Sequence, residues 1–476
     1  MQEYETPQPS AAPSASGARR AGTPALPPRS FAILFAISVI VAIGNTGLTS
    51  ILPAIGRETG IPDAYMAAIF SLSALLWAVM SPYWARESDR RGRKPLIMLG
   101  LGGFAVSMLC CGLVVTAGLH HLASWPVIFV VFLLARALFG LIGSSSNPAT
   151  QAYLAERTSR ADRTQQMASL AGAFGLGTVV GPFLAPLFIL PVVTLAGPLF
   201  TFSLLAAGML FVVWRHLPET ARPRDQRPFP GAGTRGWRAT LQPAAVFLSK
   251  LRNPGKLSAE LIETARGSVL FPFLAYGFLV ATCQTAQSYT LGFMIIDKLQ
   301  MTPIKALGFI SVAMAAGAMA GLLAQWGLIR IFNMGPKVLM RWGVALACVG
   351  ALTMAFAPDY WTVVAGNAIA SLGFGFARPG FTAGASLAVK MEDQAKAAGY
   401  IAAVNGLNVI LAFFFVRLYE EIKVGPFVLS ATILAGLFVY ALRNPVLREA
   451  GEKTADGDGE EEATLAMLER SDEGGV

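Results

Sequence analysis

Runs of about twenty predominantly apolar residues recur along this 476-residue chain, and they limit its possible folds more than any other feature. An α-helix needs about 20 such residues to cross a hydrocarbon core of ~30 Å. The runs lie near 31–54, 65–84, 95–117, 125–153, 167–191, 195–214, 269–293, 304–328, 338–357, 361–389, 395–417 and 424–442. They fall into two groups of six, separated by a basic, Pro-containing stretch, 215–266, that is too polar to cross. The expected fold is therefore an all-α integral membrane protein. Twelve transmembrane helices would form two pseudo-symmetric six-helix bundles, 31–214 and 267–445, joined by a cytoplasmic central loop. Only 14% of the residues are charged, against about 25% in soluble domains, so most of the chain needs a non-aqueous solvent.

The distribution of basic residues gives the orientation. With the N-terminus inside, 30 of the 37 Lys and Arg fall in cytoplasmic segments. The outward loops carry only Arg57, Lys298, Lys305, Arg417 and Lys423. Such asymmetry is the positive-inside signature. It predicts both termini in the cytoplasm and a multi-pass protein of the inner membrane surrounded by lipid. It also accounts for the net charge of +9 without nucleic acid. Residues 1–30 read as a disordered tail with no cleavable signal. Residues 446–476 read as an acidic disordered tail, with a regulatory role as the other reading. Cys110, Cys111, Cys283 and Cys348 sit inside apolar runs and read as small buried hydrophobes.

Between the second and third runs stands Ala85-Arg-Glu-Ser-Asp89-Arg90-Arg91-Gly92-Arg93-Lys94. Gly92 permits a tight turn, and Asp89 can accept hydrogen bonds in one conformational state and lose them in another. Ordinary positive-inside anchoring explains the basic residues but not their spacing around Asp89 and Gly92. The fourth run holds Arg136-x-x-x-Gly140 and ends in Ser-Ser-Ser-Asn147-Pro148. Arg136 lies ~15 Å into its span, too deep to read simply as an arginine reaching back to the interface. A charge at that depth is a functional hypothesis by default. The fifth run contains Gly177-x-x-x-Gly181-Pro182, followed by Ala185-Pro186. Small residues four apart allow close helix packing.

These motifs resemble those of the major facilitator superfamily, and most closely its twelve-helix drug:proton antiporter branch of the tetracycline-efflux type. The resemblance spans about residues 31–445, with Ala85 in place of the loop motif's leading Gly. It implies a cytoplasmic gate at Asp89, Arg90, Gly92 and Arg93. It also implies a coupling role for Arg136, aided by Asp89, and an antiporter-like packing motif at Gly177, Gly181 and Pro182. A monomer with protons as coupling ion is implied, with no cofactor. No zinc spacing or phosphate loop suggests a metal or enzyme chemistry.

Polar residues inside membrane helices usually face the bundle interior. The substrate-binding candidates are Asn45, Gln284, Gln287, Tyr289, Asn367 and Arg378, with an interhelical hydrogen bond as the plainer reading of each Asn and Gln. Gln284, Gln287 and Ser288 are spaced to share one helix face. No Asp or Glu occurs in 96–155, 164–214, 264–296, 306–357, 360–391 or 395–419, so the deep charges are both positive. The expected cargo is a small amphipathic anion exported by alternating access. A proton-coupled importer of an organic acid and a non-transporting receptor are the alternatives.

Overall fold

The computed structural model describes residues 27–158, 160–189, 194–219, 269–389, 397, 400, 401, 404, 408–448 and 450, without the side chains of Asp89, 160–165, 168 and 171. Most of the central loop and nearly all of both tails therefore lie outside the described residues. The elements are helices: α1 (Pro28–Glu58), α2 (Asp63–Arg91), α3 (Arg93–Leu119), α4 (Trp125–Leu141), α5 (Ser146–Glu156), α6 (Arg160–Leu187), α7 (Gly197–His216), α8 (Phe271–Leu299), α9 (Pro303–Leu322), α10 (Pro336–Ala355), α11 (Tyr360–Leu387), α12 (Ala412–Glu421) and α13 (Gly425–Arg443).

Their ends follow from local chemistry. Proline occupies the first turn of α1, α4, α7, α8, α9, α10 and α13, where its missing N–H removes a donor that had no partner anyway. Asp359 caps α11 by accepting from the Thr362 amide at 2.7 Å and its hydroxyl at 2.8 Å. Those bonds hold the exposed carboxyl below the usual carboxylate range. The Gly143–Ser145 turn is 3₁₀ and joins α4 to α5 in one 32-residue rod, Trp125–Glu156. Pro148 has no N–H to offer the Ser144 carbonyl, and the helix tightens there. A π turn, Leu323–Leu328, extends α9 to Ile331.

Among the described residues, eight rods are long and apolar enough to cross a membrane: 28–58, 63–88, 93–119, 125–156, 197–216, 303–331, 336–355 and 425–443. The expected runs 167–191, 269–293, 361–389 and 395–417 are not among them. The last is described only in part, and α6 offers a shorter apolar stretch, Gly172–Leu187. For α8 and α11 the reason is polar content: Gln284, Gln287 and Ser288 in one, Asn367, Ser371 and Arg378 in the other. Exposed Trp125 and Trp361 stand at the starts of α4 and α11, and exposed Trp214 stands near the end of α7. Indole rings near helix ends suit a membrane–water interface. This is a multi-pass membrane protein.

The apolar core shows where the helices are held together. At the end where α1 stops and α2 starts, Ile295, Ile310, Tyr360 and Tyr419 belong to one buried cluster with α1–α4. Toward the opposite end, Phe273, Met340, Phe381 and Leu447 form a separate cluster. The chain's two halves are thus packed against each other at the α1–α2 end.

Candidate functional site

The α2–α3 turn is built on Gly92, which ends one helix and starts the next with φ 99° and ψ 161°. Only glycine adopts that conformation without strain. The turn places Arg93 between helices. Its Nη1 donates to Ser88 Oγ at 2.9 Å, and its Nε donates to Glu156 Oε1 at 2.9 Å, at the end of α5. Arg90 is exposed and 3.7 Å from Glu87, while Arg91 pairs with Glu87 as well. Lys94 Nζ donates to the Trp214 carbonyl at 2.9 Å. The loop motif thus ties α2, α3, α5 and the end of α7 together. The side chain of Asp89, expected at this gate, lies outside the described residues.

Arg136 is buried, with 1% of its surface exposed. Its Nη2 donates to Asn45 Oδ1 at 2.8 Å. The Phe70 and Phe139 ring centres lie 4.9 and 4.7 Å from the guanidinium carbon. Nε and Nη1 are buried without a hydrogen-bond partner among the described residues. Cation–π contacts offset about 0.5–2 kcal/mol each, well below the cost of removing an ion from water. Phe70 also meets Tyr289 of α8 edge to face, centroids 5.7 Å apart. Phe139 is three residues from Arg136, so a shared helix face could have identified it from sequence. Phe70 carries no such signal.

Below this level, Arg378 Nη1 donates to Gln284 Oε1 at 3.3 Å. Gln287 also turns toward α11, but it meets residues nearer that helix's start. Its amide donates to Asn367 Oδ1 at 2.6 Å and to Ser371 Oγ at 3.3 Å. Asn367 Nδ2 in turn donates to the Ala313 carbonyl at 2.8 Å. Gln287 and Asn367 are both buried and knot α8, α9 and α11 together. Asn45 is likewise engaged, as the partner of Arg136. Tyr289 and Gln284 are half-buried and Ser288 is exposed, so these three line the accessible side of α8.

The glycine motif packs α6 onto α1. A Cβ at Gly177 would stand 2.4 Å from Ala42 Cβ, and one at Gly181 would stand 2.2 Å from Thr46 Oγ1. Pro182 follows within α6.

Comparison with known proteins places this arrangement. Residues 34–413 match the sequence profile of the Major Facilitator Superfamily. The chain is 30% identical over 155 residues to Multidrug resistance protein 2 of Bacillus subtilis (strain 168), covering 32% of this chain and 35% of that one. It is 26% identical over 196 residues to the class B tetracycline resistance protein of Escherichia coli, covering 40% and 45%. The first curated relatives are thus matched over only about a third to a half of their length. Among solved structures, the human organic anion transporter MFSD10 (TETRAN) superposes with a TM-score of 0.59 at 20% identity, covering 87% of this chain and all of that one. A POT family transporter superposes with a TM-score of 0.67 at 12% identity, covering 87% and 95%. Profile, relatives and fold agree, and the chain belongs to the Major Facilitator Superfamily.

Proposed function

We propose that this protein is a monomeric secondary active transporter that exports a small amphipathic organic anion across the inner membrane, by proton-coupled antiport. The observation that carries the reading is Arg136: a buried guanidinium with two aromatic rings against it, Asn45 accepting from Nη2, and two nitrogens without a hydrogen-bond partner among the described residues. Arg378 supplies a second positive group beside Gln284, and the long stretches of helix around both hold no Asp or Glu. An environment of low dielectric and net positive charge favours an anion. The printed description of MFSD10 as an organic anion transporter is in keeping with this reading.

In this proposal twelve helices form two six-helix bundles that rock about a midplane site, with both termini cytoplasmic. The packed α1–α2 end is the outer face, and the chain is described in its outward-closed state. Asp89, Arg90, Gly92 and Arg93 work the cytoplasmic gate, and Gln284, Tyr289 and Arg378 meet the substrate. Gln287 and Asn367 hold the second half rigid around it. The coupling proton enters through carboxylates at the cytoplasmic ends, Asp89, Glu156 and Asp162, or is carried on the substrate itself.

Proteoliposome counterflow with radiolabelled aromatic and aliphatic carboxylates tests the reading. Accelerated exchange by the intact protein and its loss in Arg378→Gln, with membrane insertion unchanged, is the expected result. Exchange of cationic drugs but not carboxylates would reject the anion assignment. Net uptake driven by an inward proton gradient would reverse the direction.

A further inference from the structure

The closed α1–α2 end holds a cluster of charges that the function above does not use. Arg57, at the last turn of α1, is shared between two carboxylates. Its Nη2 lies 2.8 Å from Asp63 Oδ2 at the start of α2, and its Nη1 donates to Asp297 near the end of α8. Asp297 is also shared: Lys423 Nζ is 2.6 Å from its Oδ2, and the Tyr419 hydroxyl donates to the same oxygen at 2.9 Å. The Ala64 amide donates to Glu420 Oε1 at 2.9 Å, a second bond between the chain's halves. Arg417 is engaged elsewhere, pairing with Glu420 and Glu421. One turn deeper, Gly292 of α8 packs so tightly on Pro53 of α1 that a Cβ there would come within 2.5 Å of Pro53 Cγ.

The partners divide by half of the chain. Arg57 and Asp63 belong to the first half, and Asp297, Tyr419 and Lys423 belong to the second. If the halves part, Arg57 keeps Asp63 and Asp297 keeps Lys423 and Tyr419. Neither side is left with an uncompensated, partly buried charge, the situation that makes breaking an ion pair expensive.

The geometry points to a charge-balanced latch: Arg57–Asp297 holds the outer face closed, while Asp63 and Lys423 are standby partners that make opening affordable. The inference rests on the alternating-access reading and adds the partition of roles among these side chains. Its consequence is an opposition of sign. Removing a cross-half partner favours the open state. Removing a standby partner favours the closed state, although neither Asp63 nor Lys423 forms the Arg57–Asp297 bond. A merely structural cluster would loosen in all four cases.

The test uses the full chain with its four cysteines replaced and spin labels at Leu122→Cys and Phe356→Cys. These positions are exposed turns of opposite halves at the same end, and neither belongs to the cluster. Electron–electron resonance distances give the open-to-closed ratio, in the parent and in a Gly292→Ala background whose added methyl wedges the junction ajar. Asp297→Asn and Arg57→Gln should raise the open population about two- to fivefold, the range expected for a partly exposed ion pair. Asp63→Asn and Lys423→Gln should lower it by a similar factor in the wedged background. Four shifts in one direction, or no response to Asp63→Asn and Lys423→Gln, would overturn the assignment. The readout needs no substrate, so it stands apart from the anion reading: a protein that moved no carboxylate would still show or lack the opposed signs.

Discussion

Replacing Arg136 by methionine is expected to abolish transport while leaving the protein at least as stable as before. The two effects have the same origin. Burying a guanidinium without a carboxylate incurs a desolvation penalty, and two ring faces and one amide oxygen offset only part of it. A side chain of similar length and no charge removes that penalty but leaves Asn45 without its partner. The net change is between neutral and about 3 kcal/mol of added stability. Transport should fall at least about 10- to 150-fold, the range for losing a buried hydrogen bond made by a charged group. Lysine should not restore it, since an ammonium lacks the flat faces that Phe70 and Phe139 cover. Thermal melting of the purified protein beside counterflow checks both halves. A methionine variant that melted much lower yet still transported would mean that Arg136 holds the fold and does not serve the transport cycle.

Replacing Gly181 by valine should do the opposite to stability. A Cβ at that position meets Thr46 Oγ1 at 2.2 Å, the Ile43 carbonyl oxygen at 2.6 Å and the Gly47 amide nitrogen at 2.9 Å. Two of those atoms are backbone, so no rotamer change relieves the contact and α6 must move off α1. Overpacking of this kind costs about 1–3 kcal/mol, occasionally more. Lower melting and lost counterflow are expected together. Gly208→Ala in α7 is the control: a Cβ there meets nothing within 4 Å, and stability should hold or rise by about 0.5–1 kcal/mol. Equal melting of the two variants would show that the close approach of α1 and α6 is not needed.

What could be read from the sequence was whatever depends on local pattern. The apolar runs marked the helices, Gly92 marked the α2–α3 turn by its backbone freedom, and the depth of Arg136 followed from counting residues along one rod. What could not be read depends on how the rods are rotated and offset against one another. Gln287 and Asn367 are 80 residues apart, and nothing in either segment says that they bond to each other. Asn45 lies 91 residues from Arg136, so its engagement by that guanidinium was equally hidden. The spacing of Gln284, Gln287 and Ser288 was expected to give one shared face. Gln284 and Gln287 do both turn toward α11, the one meeting Arg378 and the other Asn367 and Ser371, but the spacing could not say that Gln287 is buried there while Ser288 is exposed. Arg57 read as an ordinary outward-loop charge because its cross-half partner, Asp297, is 240 residues away.

The unpaired guanidinium also has an electrical consequence. A charge moving through the full membrane field changes energy by about 2.3 kcal/mol per 100 mV. A carrier whose empty midsection is positive therefore does work against or with the membrane voltage each time its access switches. Once loaded with a monovalent anion, the same midsection is closer to neutral, and the switch becomes less sensitive to voltage. The empty return step, not the loaded one, should then set how turnover varies with potential. Transient currents on a supported membrane should shrink when an anionic substrate is added to both sides, and they should also shrink in Arg136→Met, where Arg378 is the positive group that is left.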